Sequence, residues 1–272
     1  MTEADKRRVS RCFAIGAAAV AVPVLLALLL SLVPGWQAAL ANRPTLNLLV
    51  SAGAQYLPFW LLGLWVGGKN QPLPQGTEKP WRLLPWLPLL LALTYAGNAL
   101  GQWLAGLLGL GEADSLQENL WVRLGVVCLL APLAEEWFYR GKLLPGFLPL
   151  GKRRALLSSA LLFALSHGSL PAFCYALLAG LGLGWIALAS GSWRVSFLFH
   201  VLLNLVGFLP ELVSLPGEGL VILSLALGLI ACPFALPPLW KAWKEKGLLP
   251  VSEVFCQPGL WLSVALFLLK LQ

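Results

Sequence analysis

Charge is scarce in this 272-residue chain: Asp, Glu, Lys and Arg together make up 11% of it, against roughly a quarter in an ordinary soluble protein. With 58% apolar residues, that excludes a soluble globular domain. It excludes intrinsic disorder too, since such a chain buries far more apolar surface than ordering demands. Five cysteines (Cys12, Cys128, Cys174, Cys232 and Cys256) stand far apart with no C-x-x-C, so neither a disulfide framework nor a thiolate metal site is suggested. Aspartate is confined to Asp5 and Asp114 and histidine to His167 and His200. Both aspartates lie outside the apolar runs, which removes a pair of intramembrane catalytic aspartates. An H-E-x-x-H zinc motif and a G-x-S-x-G elbow are absent as well.

What is present is apolar length. Runs lie near 12–33, 46–66, 83–110, 119–139, 155–168, 170–190, 195–213 and 219–240, against about 20 residues needed to cross the hydrocarbon core. The fold class read from them is all-α, a polytopic transmembrane bundle of about eight spans. A further run at 259–271 is too short to cross alone and reads as interfacial or packed against the bundle. The net charge of +7 is spread along the chain rather than gathered on one domain, so no nucleic acid is expected as partner.

Positive-inside placement orients the spans. Lys6, Arg7, Arg8 and Arg11 precede the first span. Lys69, Lys79 and Arg82 follow the second, Arg140, Lys142, Lys152, Arg153 and Arg154 the fourth, Arg194 the sixth, and Lys241, Lys244 and Lys246 the eighth. The opposite loops carry Glu112, Asp114, Glu118, Glu211 and Glu218, with Arg43 and Arg123 as basic exceptions. Both termini are therefore expected in the cytoplasm. Lys6-Arg7-Arg8 ahead of an apolar run, with Ala39-Leu40-Ala41 beyond it, also suggests a signal peptide, but the run exceeds the usual 7–15 residues of such a segment. The stretch from Gly67 to Lys79 reads as a solvated cytoplasmic loop. Residues 144–154, dotted with proline, should break a long helix and lie along the cytoplasmic interface.

Ionisable side chains inside a bilayer cost about 2.5–3.5 kcal/mol each on the lenient insertion scale, so their few positions are informative. Glu135 and Glu136 stand in Ala131-Pro-Leu-Ala-Glu-Glu-Trp-Phe-Tyr-Arg140, His167 ends Phe163-Ala-Leu-Ser-His, and His200 opens His200-Val-Leu-Leu-Asn204. On an α-helix Glu136 and Arg140 share a face, and Glu135 is rotated about 100° from Glu136. Arg140 is thus expected to hold Glu136 ionised while Glu135 points toward the bundle interior. His200 and Asn204 are likewise one turn apart. Counted from Arg140 and Arg194 as boundary anchors, Glu135 and His200 lie about 8–9 Å deep, but His167, thirteen residues beyond Arg154, lies about 20 Å deep. Ser196 and Ser166 adjoin the histidines without a supporting elbow, and Cys128 lies on nearly the face of Glu135, where a thiol packs as a small hydrophobe. A Glu/His site able to activate water, with His and Asn donors for a developing oxyanion, is equipment for peptide-bond hydrolysis.

The order Glu135-Glu136-x-x-x-Arg140, Phe163-x-x-x-His167, His200-x-x-x-Asn204 resembles the three-motif signature of the CPBP family, the CAAX-protease and bacteriocin-processing intramembrane proteases, also called the Abi family. The likeness covers about residues 119–213, and Gly141 after the arginine adds to it. It implies a catalytic core at 116–215, between N-terminal helices at 1–115 and a C-terminal helix and interfacial tail at 216–272. It further implies a glutamate-dependent endopeptidase of the bacterial plasma membrane. Glu135, assisted by His167, would activate water; His200 and Asn204 would stabilise the oxyanion, with Glu136 and Arg140 in support. Two histidines and a glutamate also match a three-ligand zinc site, but Asn204 is a poor zinc ligand and a good donor, so the expectation is metal-free, with no cofactor. The substrate would be a membrane protein or a lipidated peptide, which no feature of the chain selects between. The competing class is non-catalytic: a scaffold, an immunity protein, or a transporter using the polar cluster as a relay.

Overall fold

A computed structural model describes residues 1–66, 72–110, 119–213, 216–243 and 252–271. Lys69, Glu112, Asp114, Glu118, Lys244, Lys246 and the side chain of Lys241, on which part of the charge pattern rests, lie outside the described residues. The described residues form helices α1 (Glu3–Ser31), α2 (Trp36–Ala41), α3 (Pro44–Val66), α4 (Trp86–Leu107), α5 (120–147), α6 (Lys152–Leu165), α7 (Leu170–Ser190), α8 (Trp193–Leu212), α9 (Gly217–Trp243), α10 (Ser252–Phe255) and α11 (Pro258–Lys270), and no strand. Six segments are long and apolar enough to span: α1, α3, Pro80–Leu107, α7, α8 and, within α9, Gly217–Pro237. This is the expected all-α membrane bundle. The fourth and fifth runs are helical too. One is divided by π turns, and the other has 14 residues, about 21 Å at 1.5 Å per residue.

Local chemistry sets the helix ends. Thr2 and Asp5 form a reciprocal capping box at α1, Asn119 accepts from Trp121 and Val122 N–H to open α5, and Ser169 caps α7 ahead of Pro171. Lipid supplies no hydrophobic force between helices, so close approach of small residues carries the packing. The most enclosed span is α7, which lies against α4, α6 and α8. Rings join the N-terminal helices to α5: Phe13 meets Phe147 at 4.7 Å and Phe59 stacks on Phe138 at 5.0 Å.

Helix α5 differs from a plain α-helix. Residues Gly125–Leu130 and Glu136–Leu143 are π-helical, and each π segment is followed within two residues by a proline, Pro132 and Pro145. A proline ring clashes with the carbonyl four residues back and donates no N–H; the wider turn absorbs both. The proline-dotted stretch therefore does not leave the bundle. Leu144, Pro145, Gly146 and Phe147 continue α5 and are buried, so the expected interfacial segment begins later. The 67–79 loop also departs from a purely solvated reading: Leu73 is buried and Glu78 N–H donates to Ala189 O at the end of α7. The run at 259–271 becomes α11, packed on α1.

Helix α4 separates packing from solvation at two glycines. A Cβ at Gly101 would collide with the Pro171 backbone of α7, whereas one at Gly106 meets nothing within 4 Å. Gly101→Ala should lower the thermal unfolding midpoint in detergent by the equivalent of about 1–3 kcal/mol. Gly106→Ala, in the last turn of α4, should leave it unchanged or raise it, as a helical glycine replaced without strain does; equal shifts would contradict this packing.

Candidate functional site

The structure brings the sequence-predicted polar residues into one cluster. Glu135 and Glu136 sit at the junction where the α stretch Ala131–Glu135 passes into the second π turn. Their side chains diverge and flank the same imidazole. His200 Nδ1 is 2.9 Å from Glu136 Oε1, and its Nε2 is 3.8 Å from Glu135 Oε2. A carboxylate accepts only, so the short contact puts a proton on Nδ1 and turns Nε2 toward Glu135.

Glu136 is fully buried and held by three polar side chains. It pairs with Arg140 at 2.9 Å and accepts from Ser196 Oγ at 2.5 Å. Arg140, also fully buried, donates to Gly180 O of α7 at 3.1 Å and lies 4.4 Å from the centre of the Phe163 ring. The expected Glu136–Arg140 pair is present, and it does more than mark a boundary, because Glu136 also orients His200. The expectation that Arg140 anchors the membrane surface is corrected by its burial.

That correction brings the counted depth of Glu135 to that of His167. Since α5 runs on to Phe147, Glu135 stands twelve residues, about 18 Å, from its end, close to the 20 Å counted for His167. His167 follows the last turn of α6, and its Nδ1 is 2.8 Å from Phe163 O. A carbonyl cannot donate, so Nδ1 carries the hydrogen and Nε2 of the neutral ring is an acceptor. The Phe163 ring meets both imidazoles edge-on, with centroids 4.6 Å from His167 and 6.1 Å from His200.

Asn204 is fixed by the first π turn. Ala131 N–H bonds to Val126 O, five residues back, and in that register the donor for Val127 O would be Pro132, which has none. Asn204 Nδ2 supplies it at 2.7 Å. One amide hydrogen is thus engaged and the other remains to be donated.

Glu135, His167, His200 and Asn204 line a single cavity of about 610 Å³. From Glu135 it extends along α5 and α8 to Arg123, Phe208 and Glu211, where Arg123 and Glu211 form an ion pair. This is the end of the bundle opposite the clustered arginines. Toward the arginine-rich end the cavity is closed by Glu136, Arg140 and Ser196, all fully buried.

Sequence reasoning missed the tyrosines. Tyr56, Tyr95 and Tyr175, three of the four in the chain, line the cavity; their scarcity in apolar helices was the available signal. Ser196 was weighed as a nucleophile but is buried against Glu136 and Leu183 O. Cys128 is buried in the first π turn, and its side chain packs as an apolar group. Among the described residues no three His, Cys, Asp or Glu side chains are placed to hold a metal ion.

The two glutamates should separate on mutation. Glu136→Ala leaves Arg140 as a buried, unpaired cation and should cost about 3–5 kcal/mol, seen as a large fall in unfolding midpoint. Glu135→Ala, which loses only a 3.8 Å contact in the cavity wall, should shift the midpoint far less; a reversed order would refute this division.

Residues 117–206 match one protein-family model, that of the Type II CAAX prenyl endopeptidase Rce1-like family. No curated protein and no solved structure matches the chain. The matched segment holds α5 to α8 up to Val206, and with it every residue of the three motifs. The match fits a multi-pass membrane protein, and the family identified across this segment, as the three motifs imply, is the CPBP/CAAX protease family.

Proposed function

We propose that the chain is an intramembrane endopeptidase in which Glu135 is the general base. The observation that carries this reading is the convergence of Glu135, His167, His200 and Asn204 on one cavity within the family-matched segment. Glu135 takes a proton from a water molecule held between its carboxylate and the acceptor Nε2 of His167, and the water oxygen attacks the scissile carbonyl carbon. The resulting oxyanion accepts from the second Nδ2 hydrogen of Asn204 and from Nε2–H of a protonated His200, whose Nδ1 is already committed to Glu136. The proton on Glu135 then passes to the amide nitrogen as the C–N bond breaks. Glu136 and Arg140 position His200 without touching substrate. No step requires a metal ion or a cofactor.

The substrate is a peptide bond of a membrane protein or of a lipidated peptide, the family description favouring a prenylated C-terminal segment. Charge placement supports both termini in the cytoplasm, and the family resemblance supports a bacterial plasma membrane. The transition-state donors point into a cavity lined also by Leu91, Ala176, Ala179 and Leu203, a lining suited to an apolar ligand.

New peptide termini in membranes from cells expressing wild type or Glu135→Gln, read by mass spectrometry, test this without a guessed substrate. The amide cannot accept the water proton, so products should fall by about 10²–10⁴-fold while the unfolding midpoint is kept. Identical terminus profiles from the two folded proteins would sink the protease and favour a scaffold or immunity role. Zinc bound stoichiometrically to wild type and lost on His167→Ala or His200→Ala would replace the metal-free scheme.

A further inference from the structure

A second and larger cavity, about 1050 Å³, lies at the opposite end of the bundle from the Arg123–Glu211 pair. Its walls come from parts of the chain far apart in sequence. Arg7, Arg8 and Arg11 come from α1, Lys142 from the second π turn of α5, and Arg194 from the first turn of α8. Among the described residues no acidic one lines it. The acids of α1 are occupied locally, Asp5 in the Thr2 capping box and Glu3 with Lys6 at 2.8 Å, and Glu136, beside Trp137, pairs with Arg140. Positive-inside placement accounts for basic residues on this side of a membrane, but it asks only that they be near span ends. It does not gather five cations from three helices around one hollow.

The remaining walls describe a ligand with an apolar neighbour. Trp137 and Trp193 face the cavity, with Lys142 Nζ 5.1 Å and Arg194 Cζ 5.8 Å from their respective ring centres. Val66, Leu73 and Pro145 add apolar surface. Indoles beside cations at helix ends are characteristic of the headgroup level, and basic pockets between membrane helices bind anionic headgroups. We propose that this cavity is a binding site for a phosphate-bearing anion, the headgroup of an acidic phospholipid being the source that its place at the helix ends favours. The site is separate from the Glu135 cavity and independent of the protease reading, since the buried Glu136–Arg140–Ser196 layer lies between them.

The test uses the full chain in neutral detergent, with binding followed by native mass spectrometry and by thermal shift. Phosphatidylglycerol is compared with phosphatidylcholine of the same acyl chains, and with inorganic pyrophosphate. Arg7→Gln, Arg11→Gln and Arg194→Gln are combined in one variant. The control variant combines Lys6→Gln, Lys79→Gln and Arg82→Gln, cations of the same side that do not line the cavity. Phosphatidylglycerol should bind wild type in preference to phosphatidylcholine. At about fivefold per cation, the cavity variant should bind it about a hundredfold more weakly, Arg194→Gln alone about fivefold, and the control as wild type does. Pyrophosphate binding with the same dependence, without phosphatidylglycerol binding, would keep the phosphate site and assign it a soluble ligand. Equal losses in both triple variants, or no preference among the three probes, would overturn the proposal.

Discussion

The buried Glu136–Arg140 pair is the constraint on which the rest of the site depends. Desolvating both charges is expensive, and their attraction repays it only with good geometry and further partners. Those partners come from three further helices. Arg140 reaches Gly180 O on α7 and the face of Phe163 on α6, and Glu136 reaches Ser196 and His200 on α8. A side chain at position 180 would crowd Phe163 and Ala160, so the absence of a Cβ there lets α6 and α7 close around the guanidinium. Satisfying one ion pair thus fixes the relative positions of four helices and, as a by-product, the ring plane of His200.

The two prolines of α5 act in the same direction. Each removes an N–H and forces a carbonyl aside, and in water that would end a helix. Within a bundle the helix widens instead, and the carbonyl that loses its donor becomes a receptor for a side chain. Val127 O holds Asn204 in this way, and the second widened stretch begins at Glu136 itself. Irregular backbone at this depth is tolerated because it faces protein rather than lipid.

Much of this was legible in the residues. The scarcity of ionisable groups singled out Glu135, Glu136, His167 and His200, and the i, i+4 spacing gave Asn204 beside His200 and the Glu136–Arg140 pair. What was hidden follows from treating α5 as a regular helix that ends near its arginine. Arginine usually marks a boundary in membrane sequences, and proline usually marks an end; here the first is paired and the second is absorbed by π turns. The counted depth of His167 therefore disagreed with that of Glu135 until the true end of α5, at Phe147, was known. Ser196 and the cavity tyrosines were not legible because their roles depend on contacts between helices, which no spacing within one helix encodes.

The layer formed by Glu136, Arg140, Ser196 and their neighbours Phe138, Tyr139 and Leu143, each fully buried, has a consequence for the membrane as a barrier. A polar cleft that enters a bilayer is a potential leak, and an acid and two imidazoles along it are the parts of a proton wire. Here the cleft is stopped by a septum whose one charged pair is internally neutral and closed off from both cavities. The two cavities, one at each end of the bundle, therefore do not join into a continuous polar path through it.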